Sequence, residues 1–166
     1  MTIRLATTED LQQLCEHRFS FIKSLKKLDV SESTPQHILS FFEQFKSDTY
    51  HYLEKHLCDG TLQAFIAIEN EQIVSSCLLC IYDLLPTPKN PSGKEGCLLN
   101  VYTLPAYRKQ GFATALLTQA LDYAKCNHIG LIHLSATDEG LPLYQKLGFI
   151  LQEKELQWSP SICSLQ

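Results

Sequence analysis

Arg108, Lys109, Gln110, Gly111, Phe112, Ala113 and Thr114 make a basic, glycine-containing stretch that runs straight into a segment with strongly amphipathic helical spacing. The chemistry such a junction offers is anion binding. The unpaired N–H groups of a helix's first turn point along its axis, and the macrodipole adds about half a positive charge there. Gly111 and Ala113 keep bulky side chains out of the way, while Arg108 and Lys109 add formal charge. Immediately before the loop, Cys97 to Leu104 is apolar and β-branched and is bounded by Gly96 and Pro105. The order is therefore strand, phosphate loop, helix.

Two familiar versions of that order do not fit. A nucleotide P-loop needs Lys and Ser or Thr directly after its last glycine, and a dinucleotide fingerprint needs three spaced glycines, whereas only Gly111 is present here. The pattern that fits is Arg-x-x-Gly-x-Ala. It resembles the pyrophosphate loop of the GNAT superfamily of N-acetyltransferases, which use acetyl-CoA. The resemblance extends to Asn100-Val101-Tyr102-Thr103-Leu104 before the loop and Tyr144-Gln145-Lys146-Leu147-Gly148-Phe149 after it. It is close from Leu98 to Ile150 and looser over the N-terminal half.

The resemblance implies a division of labour. Backbone groups of Val101, Tyr102 and Thr103 would hold the pantetheine arm as an added strand. The pyrophosphate would sit on Arg108, Lys109, Gln110, Gly111, Phe112, Ala113 and Thr114, with a further cofactor contact at Thr137, where the family often carries Asn. An oxyanion would be met by a backbone N–H near position 103. Tyr144 lies where many members place the general acid that protonates the leaving thiolate, a role open to a phenol of pKa about 10. Its alternative is a core tyrosine with its hydroxyl at the surface.

The amine acceptor must lose a proton before attack, often through water to a carboxylate or His. Many family members carry Glu or Asp on the central strand, but Cys97 to Leu104 contains no carboxylate. Asn100 shares a strand face with Tyr102 and could orient a water or the acceptor, although an amide cannot serve as the base. His133 is a candidate base, against the alternative of a satisfied core histidine. Arg18 falls inside the apolar stripe of the first helix. It could snorkel or pair with a carboxylate, or it could border the acceptor cleft and meet an anionic acceptor group.

The 166 residues, 45% hydrophobic, suffice for one well-filled core, so a single N-acetyltransferase domain over residues 1–166 is the expectation. A net charge of −4 with no basic run interleaved with aromatics argues against nucleic acid. The opening Met1-Thr2-Ile3-Arg4 enters patterned sequence without a long apolar run, which supports neither signal peptide nor membrane span and is read as cytoplasmic. Seven scattered cysteines read as reduced thiols. Cys77 and Cys80 lie on opposite faces of one strand with no second close pair, so no metal is expected.

Spacing then orders the elements. Ile3 to Leu5 is a strand, and Thr7-Thr8-Glu9-Asp10 starts a helix to about Leu25 with Leu11, Leu14, Cys15, Ile22 and Leu25 as its stripe. A second helical region spans about Pro35 to Leu57 with a break near Ser47-Asp48. Strands Thr61 to Ile68 and Ile73 to Leu84 form a hairpin, and Leu85 to Gly96 is a surface loop. The helix from Gly111 to about Asn127 carries Phe112, Leu116, Ala120, Leu121 and Ala124 on one face. A buried strand over Leu131 to Ser135, a short helix ended by Gly148 and a last strand from Phe149 to Leu156 complete the chain. This predicts an α+β (mixed α/β) class. The resemblance makes it the GNAT-like acyl-CoA N-acyltransferase fold, a central, mostly antiparallel mixed sheet flanked by helices.

The function expected is transfer of acetyl from acetyl-CoA, with CoA as product, to a primary amine by direct attack in a ternary complex. A small-molecule amine is preferred over the amino group of a peptide, and a homodimer is left open. The alternative is a catalytically weak acyl-CoA-binding regulatory module. A nucleotide-binding protein would need triphosphate contacts that the loop lacks.

Overall fold

A computed structural model of the chain describes residues 2–26 and 34–152. The chain divides into two compact units after Ser135. The first contains strand β1 (Thr2–Leu5), helix α1 (Leu11–Lys26), helix α2 (Gln36–Asp59), β2 (Leu62–Glu69), β3 (Gln72–Asp83), β4 (Lys94–Thr103), helix α3 (Phe112–Cys126) and β5 (Leu131–His133). The sheet runs β1-β2-β3-β4-β5, with three antiparallel pairings followed by a parallel pairing of β4 with β5. That parallel pair is joined through α3, as a strand-helix-strand unit requires.

Both faces of the central strands are covered, which is why β2 and β3 read as near-continuous apolar runs. On one face Leu11, Leu14 and Cys15 of α1 and Leu53 of α2 pack with Leu62, Ala64, Ile66, Ile73 and Leu78. The alternate residues face α3, as the ring contact of Phe65 with Tyr123 shows. Leu116, Leu117 and Ala120 of α3 are fully buried there, Leu117 in place of the expected Leu121, which is half-buried.

Local chemistry explains the element ends. Thr7 caps a 3-10 turn over Thr8–Asp10 that leads into α1, and Asp10 completes a capping box. Asn70 and Glu71 both take positive φ, 48° and 62°, in the β2–β3 hairpin, as a type I′ turn demands.

Five expectations need correction. The break at Ser47-Asp48 is absent. Both residues are exposed, Gln44 Nε2 donates to Asp48 Oδ1 at 2.8 Å, and His51 Nδ1–H donates to Ser47 O at 2.8 Å, so the helix is stapled across its weak point. Leu25 is 45% exposed, because the buried face of α1 runs instead through Leu14 and His17. The connecting loop ends three residues early. Buried Asn90 donates to Lys94 O at 3.2 Å and accepts from Ser92 Oγ at 2.8 Å, which turns the chain into β4 at Lys94. The strand after α3 is short and not buried, since β5 lies at the end of the described sheet with Leu131 and His133 exposed. Finally, residues 149–152 are not in a strand, and the remainder of that expected element lies outside the described residues.

The second unit is described over residues 136–152. Helix α4 (Leu141–Lys146) ends with Gly148 at φ 92°. The Gly148 N–H donates to Gln145 O and the Phe149 N–H to Tyr144 O, a Schellman closure.

Candidate functional site

The site begins where β5 stops. β4 pairs with β5 only from Glu95 to Cys97, so from Leu98 to Thr103 one of its edges has no strand beside it among the described residues. Leu104 N–H donates to Val74 O at 2.9 Å. Alternation along the ladder then turns the main-chain groups of Val101 and Thr103 toward the open side. An extended, peptide-like chain can add to such an edge through backbone hydrogen bonds.

That edge leads into the loop. Arg108 Nε donates to Thr103 O at 3.1 Å, its guanidinium carbon lies 5.9 Å from the Tyr102 ring centroid, and Gln110 Nε2 donates to Ala106 O at 3.0 Å. Both side chains therefore brace the turn. Lys109 and Gly111 take left-handed φ values of 60° and 89°. Alternating hand along the main chain makes an anion-binding nest from successive N–H groups. No side chain caps α3 at Gly111, and among the described residues no acceptor outside the helix meets the N–H groups of residues 109–114. Phe112 is buried and anchors the first turn in the core, Ala113 is half-buried, and Thr114 is exposed.

Midway along β4 the register with β3 shifts between Ser76 and Leu78. The bulge falls at Asn100, whose φ is +50°. Asn100 is buried on the face that carries α1, where a polar network has formed. His17 of α1 places Nδ1 3.0 Å from Ser76 Oγ and Nε2 3.0 Å from Ile73 O. Asn100 Nδ2 lies 3.5 Å from the same Ser76 oxygen, and Asn100 Oδ1 has no partner among the described residues. Burial pushes the His17 imidazole below its ordinary pKa, against the opposing effect of its bond to Ile73 O. Ser75 Oγ meets Tyr102 O at 3.1 Å and Thr103 Oγ1 at 2.8 Å. The apolar stripe of α1 singles out Arg18 in the sequence and not its neighbour His17. The available signal was the Ser75-Ser76 pair interrupting an otherwise apolar strand.

A second polar group lies on the same face. Cys80, Cys97 and His133 occupy one row across β3, β4 and β5, and Cys80 packs against the α1–α2 core. Tyr82, one step along, has Glu95 as its cross-strand partner, and its hydroxyl hydrogen-bonds His133 Nε2. His133 is thus exposed and partnered, which corrects the core alternative. Glu95 corrects a second expectation: the strand, beginning at Lys94, does carry a carboxylate. Burial raises the Tyr82 hydroxyl above its ordinary pKa. Tyr52 of α2 sits 3.6 Å from Cys80 Sγ and is pushed up to about 12, chiefly by burial. Arg18 is half-buried. Burial lowers its pKa, and the nearby Cys80 thiol acts in the opposite sense. Among the described residues no carboxylate pairs with it.

In the second unit, Thr137 closes a turn, its Oγ1 accepting from Gly140 N–H at 3.1 Å. The Tyr144 ring meets Phe149 edge to face at 5.8 Å between centroids.

The model of the acetyltransferase (GNAT) family matches residues 30–149. The chain belongs to the GNAT acetyltransferase family. Among solved structures it is similar to a predicted acetyltransferase with acetyl-CoA from Clostridium acetobutylicum, at 26% identity over 95% of each chain and a TM-score of 0.81. A GCN5-related N-acetyltransferase from Ralstonia eutropha shares 23% identity over 95% of this chain and 97% of that one, with a TM-score of 0.78. An aminoglycoside 6'-N-acetyltransferase from Acinetobacter haemolyticus shares 21% identity over 98% and 100%, with a TM-score of 0.67. No curated protein matches the chain in sequence. Among the described residues of this GNAT protein, no helix is long and apolar enough to cross a membrane and no cluster of His, Cys, Asp and Glu could hold a metal ion.

Proposed function

We propose that this GNAT protein is an N-acetyltransferase, a single domain over residues 1–166, that moves the acetyl group of acetyl-CoA to a primary amine by direct attack in a ternary complex. The observation that carries this reading is the continuity of the open edge from Leu98 to Thr103 with the uncapped N–H groups of residues 109–114. A pantetheine arm and a diphosphate need those two features in that order. The similar Clostridium structure, which contains acetyl-CoA, supports the same cofactor here.

The thioester supplies an activated acyl group, and the chain supplies the rest. The backbone N–H groups of Val101 and Thr103 align the arm. The N–H groups of residues 109–114 hold the diphosphate, assisted by the charges of Arg108 and Lys109. A main-chain N–H near Thr103 steadies the oxyanion, and Tyr144 protonates the leaving thiolate. Asn100 orients the amine. The Tyr82–His133 pair, with Glu95 beside it, takes the amine's proton through water. Arg18 faces an anionic group of a small acceptor, which favours a metabolite amine over a peptide.

Calorimetry with CoA, acetyl-CoA and ATP tests the cofactor assignment: the first two should bind, and preference for ATP contradicts it. A thiol-release assay with acetyl-CoA and a panel of amines tests turnover. Binding without release on any amine would favour the regulatory module.

A further inference from the structure

The hydrogen bonds around Ser76 run in one direction. A carbonyl only accepts, so the 3.0 Å contact of His17 Nε2 with Ile73 O requires the proton on Nε2. Neutral His17 then presents Nδ1 as an acceptor, and only the Ser76 hydroxyl lies 3.0 Å from it, so that hydroxyl must donate. With its proton committed to His17, Ser76 Oγ can only accept from Asn100, which it does from Nδ2 at 3.5 Å. A flipped Asn100 amide would set two acceptors against each other. Each assignment follows from the one before, starting from a main-chain carbonyl in β3.

The chain ends on an atom with nothing to do. Asn100 is 2% exposed, His17 5% and Ser76 0%, yet among the described residues Asn100 Oδ1 has no donor. An unpaired buried acceptor is costly and marks a place where a ligand supplies the partner. It sits in the β4 bulge, next to the Val101–Thr103 edge.

We propose that His17 and Ser76 are positioning residues that lock the Asn100 amide with Oδ1 presented to an N–H of the acceptor amine. This rests on the acetyl-transfer reading and extends it to the orientation of the nucleophile. The amine nitrogen has to aim its lone pair at the thioester carbon, so its hydrogens must be held elsewhere. As the N–C bond forms, positive charge builds on that nitrogen and strengthens its hydrogen bond to Oδ1, which favours the transition state over the bound amine. The C–S bond breaks as the thiolate leaves, and the nitrogen's proton passes to water rather than to Asn100.

Nitrogen-15 spectra of labelled histidine test the chain directly. In the wild-type protein His17 should be the neutral Nε2–H tautomer from pH 6 to 8; an Nδ1–H tautomer or a cation overturns the proposal. Titration of n-butylamine, with and without CoA, should shift the Asn100 side-chain amide resonance. Ser76→Ala should weaken the n-butylamine response by about threefold to tenfold, the worth of one hydrogen bond, while CoA affinity stays within about twofold. No amide shift in wild type, an unchanged amine response in Ser76→Ala, or an equal loss of CoA affinity each overturns it. Failure of CoA binding sinks acetyl transfer but leaves the tautomer and amine measurements decisive for the chain.

Discussion

Cys97 and His133 are the last partners in the parallel pairing of β4 and β5, and the open edge of β4 begins at the next residue. His133 therefore stands at the fork where the open edge of β4 begins, with its Nε2 bonded to the Tyr82 hydroxyl. That location is what a proton acceptor for the incoming amine needs. We expect His133→Ala to lower kcat/KM for the amine by about a hundredfold, within the range of general base catalysis, with CoA affinity unchanged. Tyr82→Phe should lower it less. Equal activity of His133→Ala and wild type across pH 6 to 9 removes His133 from the reaction.

Gly111 carries the loop's second left-handed residue, at φ +89°, in open space with nothing within 4 Å of an added Cβ. A side chain there is unfavourable for backbone reasons alone, by about 1–2 kcal/mol. Gly111→Val should relieve the strain by turning the loop and spoiling the nest. We expect CoA affinity, measured by calorimetry, to fall about tenfold, since 1.4 kcal/mol is a factor of ten, with a smaller change in kcat. Unaltered affinity would remove the loop from diphosphate binding.

Tyr144→Phe separates the acid role from a packing role. The Phe149 edge contact survives the loss of the hydroxyl. We expect kcat to fall about a hundredfold or more and CoA affinity to hold within about twofold. An unchanged kcat assigns Tyr144 to packing.

What the sequence disclosed and what it hid follow from one distinction. The turn at 108–111 and the start of α3 at Phe112 were legible because a glycine and a helix start at fixed offsets lie in consecutive residues. The helices and hairpin were legible through periodicity. The His17–Ser76–Asn100 chain was not, because its members stand 59 and 24 residues apart and meet only through tertiary packing. The same holds for Tyr82 with His133. The bulge at Asn100 is a register shift between two strands, invisible in either alone. Ser47-Asp48 misled because the bonds that staple the helix there come from side chains on neighbouring turns.

Asp10 offers a test of the fold apart from the chemistry. Arg4 bonds both its oxygens, at 2.7 and 2.9 Å, and the Thr7 N–H adds a third bond at 2.8 Å. The Arg4 hydrogen bond is the main cause holding its carboxyl below the ordinary value. A lowered folded-state pKa gives stability that is fully present above the unfolded value of about 3.9 and is lost as pH falls through the folded one. Asp10→Ala should cost about 1–2 kcal/mol at neutral pH, the scale of a lost cap and partner. In chemical denaturation the gap from wild type should narrow below about pH 4. A gap that persists undiminished at pH 2 would show that the charge is not responsible.

The central claim is that the open edge of β4 and the N–H groups of residues 109–114 hold one extended acyl-CoA. A crystal structure of the protein with coenzyme A measures this most directly. The account predicts diphosphate oxygens within hydrogen-bond distance of those N–H groups and pantetheine amides paired with Val101 and Thr103. Coenzyme A bound elsewhere, with that edge and loop unengaged, would contradict it.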